Sequence, residues 1–162
     1  MKGDSHKIAQ KLLGSYVCRE NLKLQITEVE VYDGHDDLAS HASKGKTKRT
    51  EIMFGPAGFW YVYLIYGMHY MLNLVTREKD YPAAILIRGG IGENGEKING
   101  PGKVTKYLNI TKNQNGLKAN KENKLWISWR KKELDTKIKK SPRIGIDYAG
   151  PIWSKKHWRY YI

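Results

Sequence analysis

The chain has 162 residues, a net charge of +13 and one cysteine, Cys18; the length suits one domain with a substantial core, and no apolar run approaches the roughly 20 residues of a membrane span. A lone cysteine excludes an intramolecular disulfide and makes no zinc site by itself, so Cys18 is expected as a small buried side chain. The charge is one-sided, with 13 Lys+Arg against 12 Asp+Glu in residues 1–100 and 16 against 4 in residues 101–162, which suits a polyanion: nucleic acid before membrane, since no basic amphipathic helix or lipidation signal accompanies it.

The first residues lead into an amphipathic stretch and not an apolar signal core, so secretion is not expected. Ser5 to Leu13 predicts a short helix capped by Ser5, with Ile8, Leu12 and Leu13 on one side and Gly14 as its stop. Tyr16 to Arg19 and Leu22 to Tyr32 predict two strands joined at Glu20-Asn21. If the second is regular, Leu24, Ile26, Glu28, Glu30 and Tyr32 share a face that passes from apolar to two carboxylates and a ring. Buried unpaired carboxylates are costly, so this end of the strand either emerges into water or enters a polar site.

Residues 33–50 predict a polar loop. His35, Asp36, Asp37 and His41 match no zinc spacing, and no metal is expected. Lys44, Lys46, Lys48 and Arg49, separated by Gly and Thr, fit a phosphate-contacting loop or simply a solvated one. Residues 53–74 are the most distinctive stretch, with seven aromatic side chains between Phe54 and Tyr70. Trp60 to Tyr66 predicts a strand introduced by Gly55-Pro56-Ala57-Gly58 and broken at Gly67, carrying Tyr61, Tyr63 and Ile65 on one face and Val62, Leu64 and Tyr66 on the other. Such a strand is either core with satisfied hydroxyls or a platform for flat groups such as nucleobases.

Met71 to Val75 continues extended, residues 77–82 turn, and Ala83 to Arg88 predicts an apolar strand whose terminal cation meets a cleft. The turn Asn99-Gly100-Pro101-Gly102-Lys103 leads into a helix at Val104 to Leu108 and offers N–H groups and a lysine to a phosphate. Residues 111–140 are polar and lysine-rich, with Leu125 to Trp129 their one evident strand, and Pro142 to Ile146, Tyr148 and Trp158 to Ile162 return to core-like composition. With no repeat or linker, residues 1–162 are expected to form a single α+β domain.

These motifs together resemble the alkyladenine (3-methyladenine) DNA glycosylase family. The resemblance rests on Glu28-Val-Glu30-Val-Tyr32, Ala39-Ser-His41, Met53-Phe-Gly-Pro, Tyr61-Val-Tyr63-Leu-Ile-Tyr66-Gly-Met, Asn73, Ile85-Leu-Ile-Arg88, Asn99-Gly-Pro-Gly-Lys103, Pro142-Arg-Ile-Gly-Ile and Trp158-Arg-Tyr-Tyr-Ile, collinear over nearly the whole chain. It implies a compact α+β domain with a curved, mostly antiparallel sheet flanked by helices, and a β-hairpin that enters DNA. It also implies hydrolysis of the N-glycosidic bond of alkylated or deaminated purines flipped from duplex DNA, without metal or cofactor. One lesion needs one pocket, so a monomer is expected, at the nucleoid of the cytoplasm in a bacterium or in the nucleus of a eukaryote.

Residue by residue, the resemblance places the water-activating carboxylate on Glu30. Arg88 helps to hold the water and a phosphate, and the backbone at Ile144 completes the water site. The flipped base falls between Tyr32 and His41 on one side and Tyr63 on the other, Asn73 forms the pocket floor, and Tyr66 is the intercalating wedge. The chain departs from the family pattern at Gly89-Gly-Ile-Gly, which replaces the usual Ala-Leu-Glu-Pro, at His69, and in the abbreviated residues 111–140. Three other classes compete: a non-catalytic nucleic-acid-binding module, a basic structural protein, and a lyase using an amine such as Lys103.

Overall fold

The computed structural model describes residues 1–162, a mixed domain of nine strands and three short helices. In chain order these are α1 (Ser5–Leu12), β1 (Tyr16–Arg19), β2 (Leu22–Asp33), β3 (Trp60–Ile65), β4 (His69–Val75), β5 (Ala83–Gly92), β6 (Lys97–Asn99), α2 (Pro101–Tyr107), β7 (Leu125–Ser128), β8 (Lys139–Ser141), α3 (Gly150–Ser154) and β9 (Arg159–Tyr161). The strands form one curled antiparallel sheet, ordered β3-β4-β5-β2-β1-β7, with β6 on β5 and β9 bridging β2 to β8. No helix is long and apolar enough to cross a membrane.

Alternation divides the sheet into two working faces. On one, Val29 and Val31 of β2, Trp60 and Val62 of β3, Leu72 and Leu74 of β4 and Ile85 and Ile87 of β5 pack with Ile8 and Leu12 of α1 and Val104 of α2 in the main core. The opposite face carries Glu30 and Tyr32, Tyr61 and Tyr63, Met71 and Asn73, and Leu86 and Arg88, and there the cleft lies. Pairing aligns Glu30 with Leu86, Leu86 with Asn73 and Asn73 with Tyr61, one row across four strands.

The second strand is not regular. Register shifts between Ile26 and Glu28 and between Glu28 and Val29 mark a β-bulge, so Leu24 and Ile26 are followed on the core side by Val29 and Val31. The expected common face of Leu24, Ile26, Glu28, Glu30 and Tyr32 is therefore split: the extra residue turns the acidic end of the strand away from the core.

Two other expectations need correction. The α1 cap is Asp4, whose Oδ1 accepts from the His6 and Lys7 N–H groups, while Ser5 turns inward to a 2.9 Å hydrogen bond with Thr76. A carboxylate also suits the positive end of a helix better than a hydroxyl. The fifth strand does not end at Arg88 but runs on to Gly92. Its glycines make that path available, since a Cβ on Gly90 would lie 2.5 Å from the Gln25 carbonyl oxygen and 2.6 Å from Leu24 Cγ.

Candidate active site

Glu30 is the centre of the cleft wall. Its side chain is 0% exposed, yet it borders the open cleft together with Tyr32, Arg88 and Ile144. Its Oε1 accepts the Ile144 backbone N–H at 2.8 Å, its Oε2 accepts the Tyr32 hydroxyl at 2.9 Å, and Arg88 Nε stands 3.5 Å from Oε1. Burial pushes its pKa up, and Arg88, the Ile144 N–H and the Tyr32 hydroxyl pull against that. The net rise marks a carboxylate with greater proton affinity than an exposed one, the condition required of a general base.

The rings arrange themselves differently from the expected grouping. His41 lies edge-on to Tyr63 with ring centroids 4.5 Å apart, and Tyr61 is 5.2 Å from Tyr63. That spacing leaves no room for a flat group between His41 and Tyr63, so the two share one wall, and Tyr32 lines the same hollow. The His41 Nδ1 is 3.3 Å from the Tyr61 hydroxyl. Burial, with Arg49 and Lys44 nearby, depresses the His41 pKa from 6.5 to about 4, keeping the ring neutral; the Tyr61 phenol is pushed up to about 12 by burial.

A narrow hollow lined by these rings reaches in to Asn73 and Met53. Asn73 is buried, its Nδ2 donating to the Tyr61 and Met71 carbonyls at 3.1 and 3.2 Å. Both donor hydrogens are thereby committed, which leaves the Oδ1 acceptor for whatever enters. Tyr148, expected in the core, stands at the cleft mouth, with its hydroxyl donating to the Ala39 carbonyl at 3.0 Å.

The hairpin of β3 and β4 closes one end. Residues 66–68 connect Ile65 to its partner His69, with Tyr66 and Gly67 both in the left-handed region at φ 49° and 69°. This bend throws Tyr66 (87% exposed) and Met68 (69%) into solvent beside the half-exposed Leu64. A projecting apolar tip on a hairpin is costly in water and signals a surface that is covered in use.

Among the expected phosphate contacts, Lys44 and Arg49 line the cleft, and the Arg49 guanidinium lies 5.4 Å from the Tyr63 ring centroid. Lys46 and Lys48 are exposed on the same loop, and Lys103 is exposed on α2 outside the cleft lining. The four residues that first suggested a metal diverge: His35 packs near Phe54 and Tyr81, Asp36 is exposed, and Asp37 turns inward, away from His41.

Arg143 is the site residue that sequence reasoning missed. It is buried, donating from Nη1 and Nη2 to the two Asp37 oxygens at 2.6 and 2.8 Å and from Nη1 to the Val31 carbonyl at 2.8 Å. Its guanidinium also lies 4.7 Å from the Tyr32 ring centroid and 5.0 Å from that of Trp158. The one sequence signal was an arginine inside the otherwise apolar Pro142 to Ile146.

Comparison with known proteins agrees with this geometry. A family model described as methylpurine-DNA glycosylase (MPG) matches residues 1–162. Two similar proteins carry the provisional name 3-methyladenine DNA glycosylase. One, from Rickettsia felis, is 43% identical over 163 residues, covering 98% of this chain and 88% of the relative. The other, from Ehrlichia chaffeensis, is 44% identical over 159 residues, covering 96% and 86%.

Proposed function

The chain belongs to the methylpurine-DNA glycosylase family and is a DNA glycosylase, a hydrolase of N-glycosyl bonds; on that premise we propose that it acts as a monomer on alkylated and deaminated purines flipped from duplex DNA. The substrates in this reading are 3-methyladenine, 7-methylguanine, hypoxanthine and ethenoadenine. The observation that carries it is the union of a buried, hydrogen-bonded carboxylate with a ring-walled hollow: Glu30 shares its Oε2 with the hydroxyl of Tyr32, which lines that hollow.

The glycosidic bond is inaccessible inside a stacked duplex, so the nucleotide leaves the helix at a cost of a few kcal/mol. Tyr66 fills the gap it leaves, and stacking between Tyr32 and the Tyr63–His41 wall returns about 1–3 kcal/mol. A cationic alkylated purine gains a further cation–π contribution that adenine lacks. Glu30 takes a proton from water, the water oxygen bonds to C1′, and the C1′–N bond breaks with its electron pair passing to the base. For a cationic base this neutralises the leaving group, so one carboxylate suffices. The Asn73 Oδ1 at the floor distinguishes bases by the donors they present.

Glu30→Gln keeps the shape and hydrogen-bonding capacity of the side chain and removes its basicity. The expected outcome is duplex affinity close to wild type with base release reduced by about 10²-fold or more. The readout is released base from duplexes bearing hypoxanthine, ethenoadenine, 7-methylguanine or no lesion. Wild-type release by the Gln variant refutes the role given to Glu30.

A further inference from the structure

Glu28 is a second carboxylate, at the bulge of β2, close enough to Glu30 to raise the latter's proton affinity. Its Oε1 accepts Arg88 Nε at 2.9 Å and Arg159 Nε at 2.6 Å, and Arg159 donates from Nη1 to Ser141 Oγ at 2.9 Å. The same Arg88 Nε is 3.5 Å from Glu30 Oε1, so one N–H faces two carboxylates and lies nearer Glu28. Arg88 borders the cleft, and its bonds to protein run through Nε, leaving both terminal nitrogens unengaged. A guanidinium beside a single carboxylate ordinarily closes onto it through two parallel hydrogen bonds. Room for the competing carboxylate is kept by Gly89, where a Cβ would lie 3.3 Å from both Glu28 Cβ and Oε2.

We propose that Glu28 is a positioning residue: by gripping Arg88 at Nε it prevents a two-pronged Arg88–Glu30 pair, leaving Glu30 able to take a proton and the terminal nitrogens of Arg88 turned to an anionic oxygen in the cleft. The inference rests on the role given to Glu30 above. With Glu28 gone, Glu30 is the carboxylate nearest Arg88, and a closed pair occupies its lone pairs and lowers its proton affinity. Arg159 supplies the additional positive charge, so that two carboxylates face two guanidinium groups and the half-buried cluster is electrically neutral.

The test is single-turnover release of 7-methylguanine, whose base is cationic across the acid range, so that the acid limb reports the protein and not the leaving group. Rates are followed from about pH 4 to about pH 8 for the wild type, Glu28→Ala and Glu28→Gln, with duplex affinity measured in parallel. In Glu28→Ala the plateau rate is expected to fall about tenfold or more, with duplex affinity lowered by no more than the loss of the one Arg88–anion contact and the acid limb of the profile displaced to lower pH. Glu28→Gln still accepts the Nε–H through its amide oxygen, so its plateau falls about threefold while its acid limb moves the same way.

An Ala variant with a wild-type plateau overturns the proposal. So does a slowed variant whose acid limb stays in place, since that behaviour marks Glu28 as packing alone. If the Ala variant fails to fold, the acid limb of Glu28→Gln decides. Glu30→Gln in the same series separates the two levels: continued base release there refutes the base assignment, whereas an inactive Glu30→Gln beside an unshifted Glu28 series refutes the present inference only.

Discussion

Arg143 joins several separate parts of the cleft. One guanidinium ties the loop before His41 through Asp37, backs the ring of Tyr32, and fixes the segment whose next N–H, that of Ile144, bonds Glu30. Both members of the Asp37–Arg143 pair are fully buried, so removing one leaves an uncompensated charge inside the protein. Asp37→Leu is expected to cost about 3–5 kcal/mol in urea or thermal unfolding, and the double variant with Arg143→Met to recover a large part of it. A single variant of unchanged stability refutes the clamp. An acidic strand end and a run of rings were legible in the sequence from composition and alternation, while the singling out of Glu30, Tyr32 and Tyr63 came from the family resemblance. Asp37 and Arg143 were not legible: the pair spans 106 positions, and no local pattern links an acidic loop to one arginine in an apolar stretch.

At the level of elements, β1, β3 and β4 follow the periodicity of the sequence closely, while the departures arise where a tertiary demand outweighs it. The bulge in β2 is the clearest, because a regular strand would force Glu30 and Ile26 onto the same face. The continuation of β5 is another, since glycines that read as a loop prove to be the residues small enough to pass against β2. His41 shares a wall with Tyr63, against the expected grouping, because its position depends on how the 33–50 loop folds over β3, which no strand pattern specifies. The Gly67 break was legible in the sequence, the β3–β4 hairpin itself was implied by the family resemblance, and it carries its own prediction. Tyr66→Ala removes the most exposed ring of the tip without touching the core. It is expected to weaken binding to lesion-containing duplex by about 1–3 kcal/mol, the worth of one stacked ring, with unfolding unchanged. Unchanged affinity places the wedge elsewhere.

Across the whole molecule the net charge of +13 favours encounter with a polyanion. Lys46 and Lys48 are exposed on the loop that also carries the cleft-lining Lys44 and Arg49. Replacing both by Gln is expected to flatten the slope of log K against log salt by about 0.9 for each phosphate no longer neutralised, while base release from saturated complex stays near wild type. An unaltered slope means that these two lysines never reach the backbone. The active-site ring also closes late along the chain. Glu30 and Asp37 lie in the first quarter, whereas Ile144, Arg143 and the second arginine on Glu28, Arg159, all come after residue 140. Synthesis runs from the N-terminus, and domains fold as their parts emerge. A chain cut at residue 140 keeps the aromatic run and the hairpin sequence but loses the Ile144 N–H, Arg143 and Arg159 that bond Glu30, Asp37 and Glu28, so base release is expected to be lost with that segment.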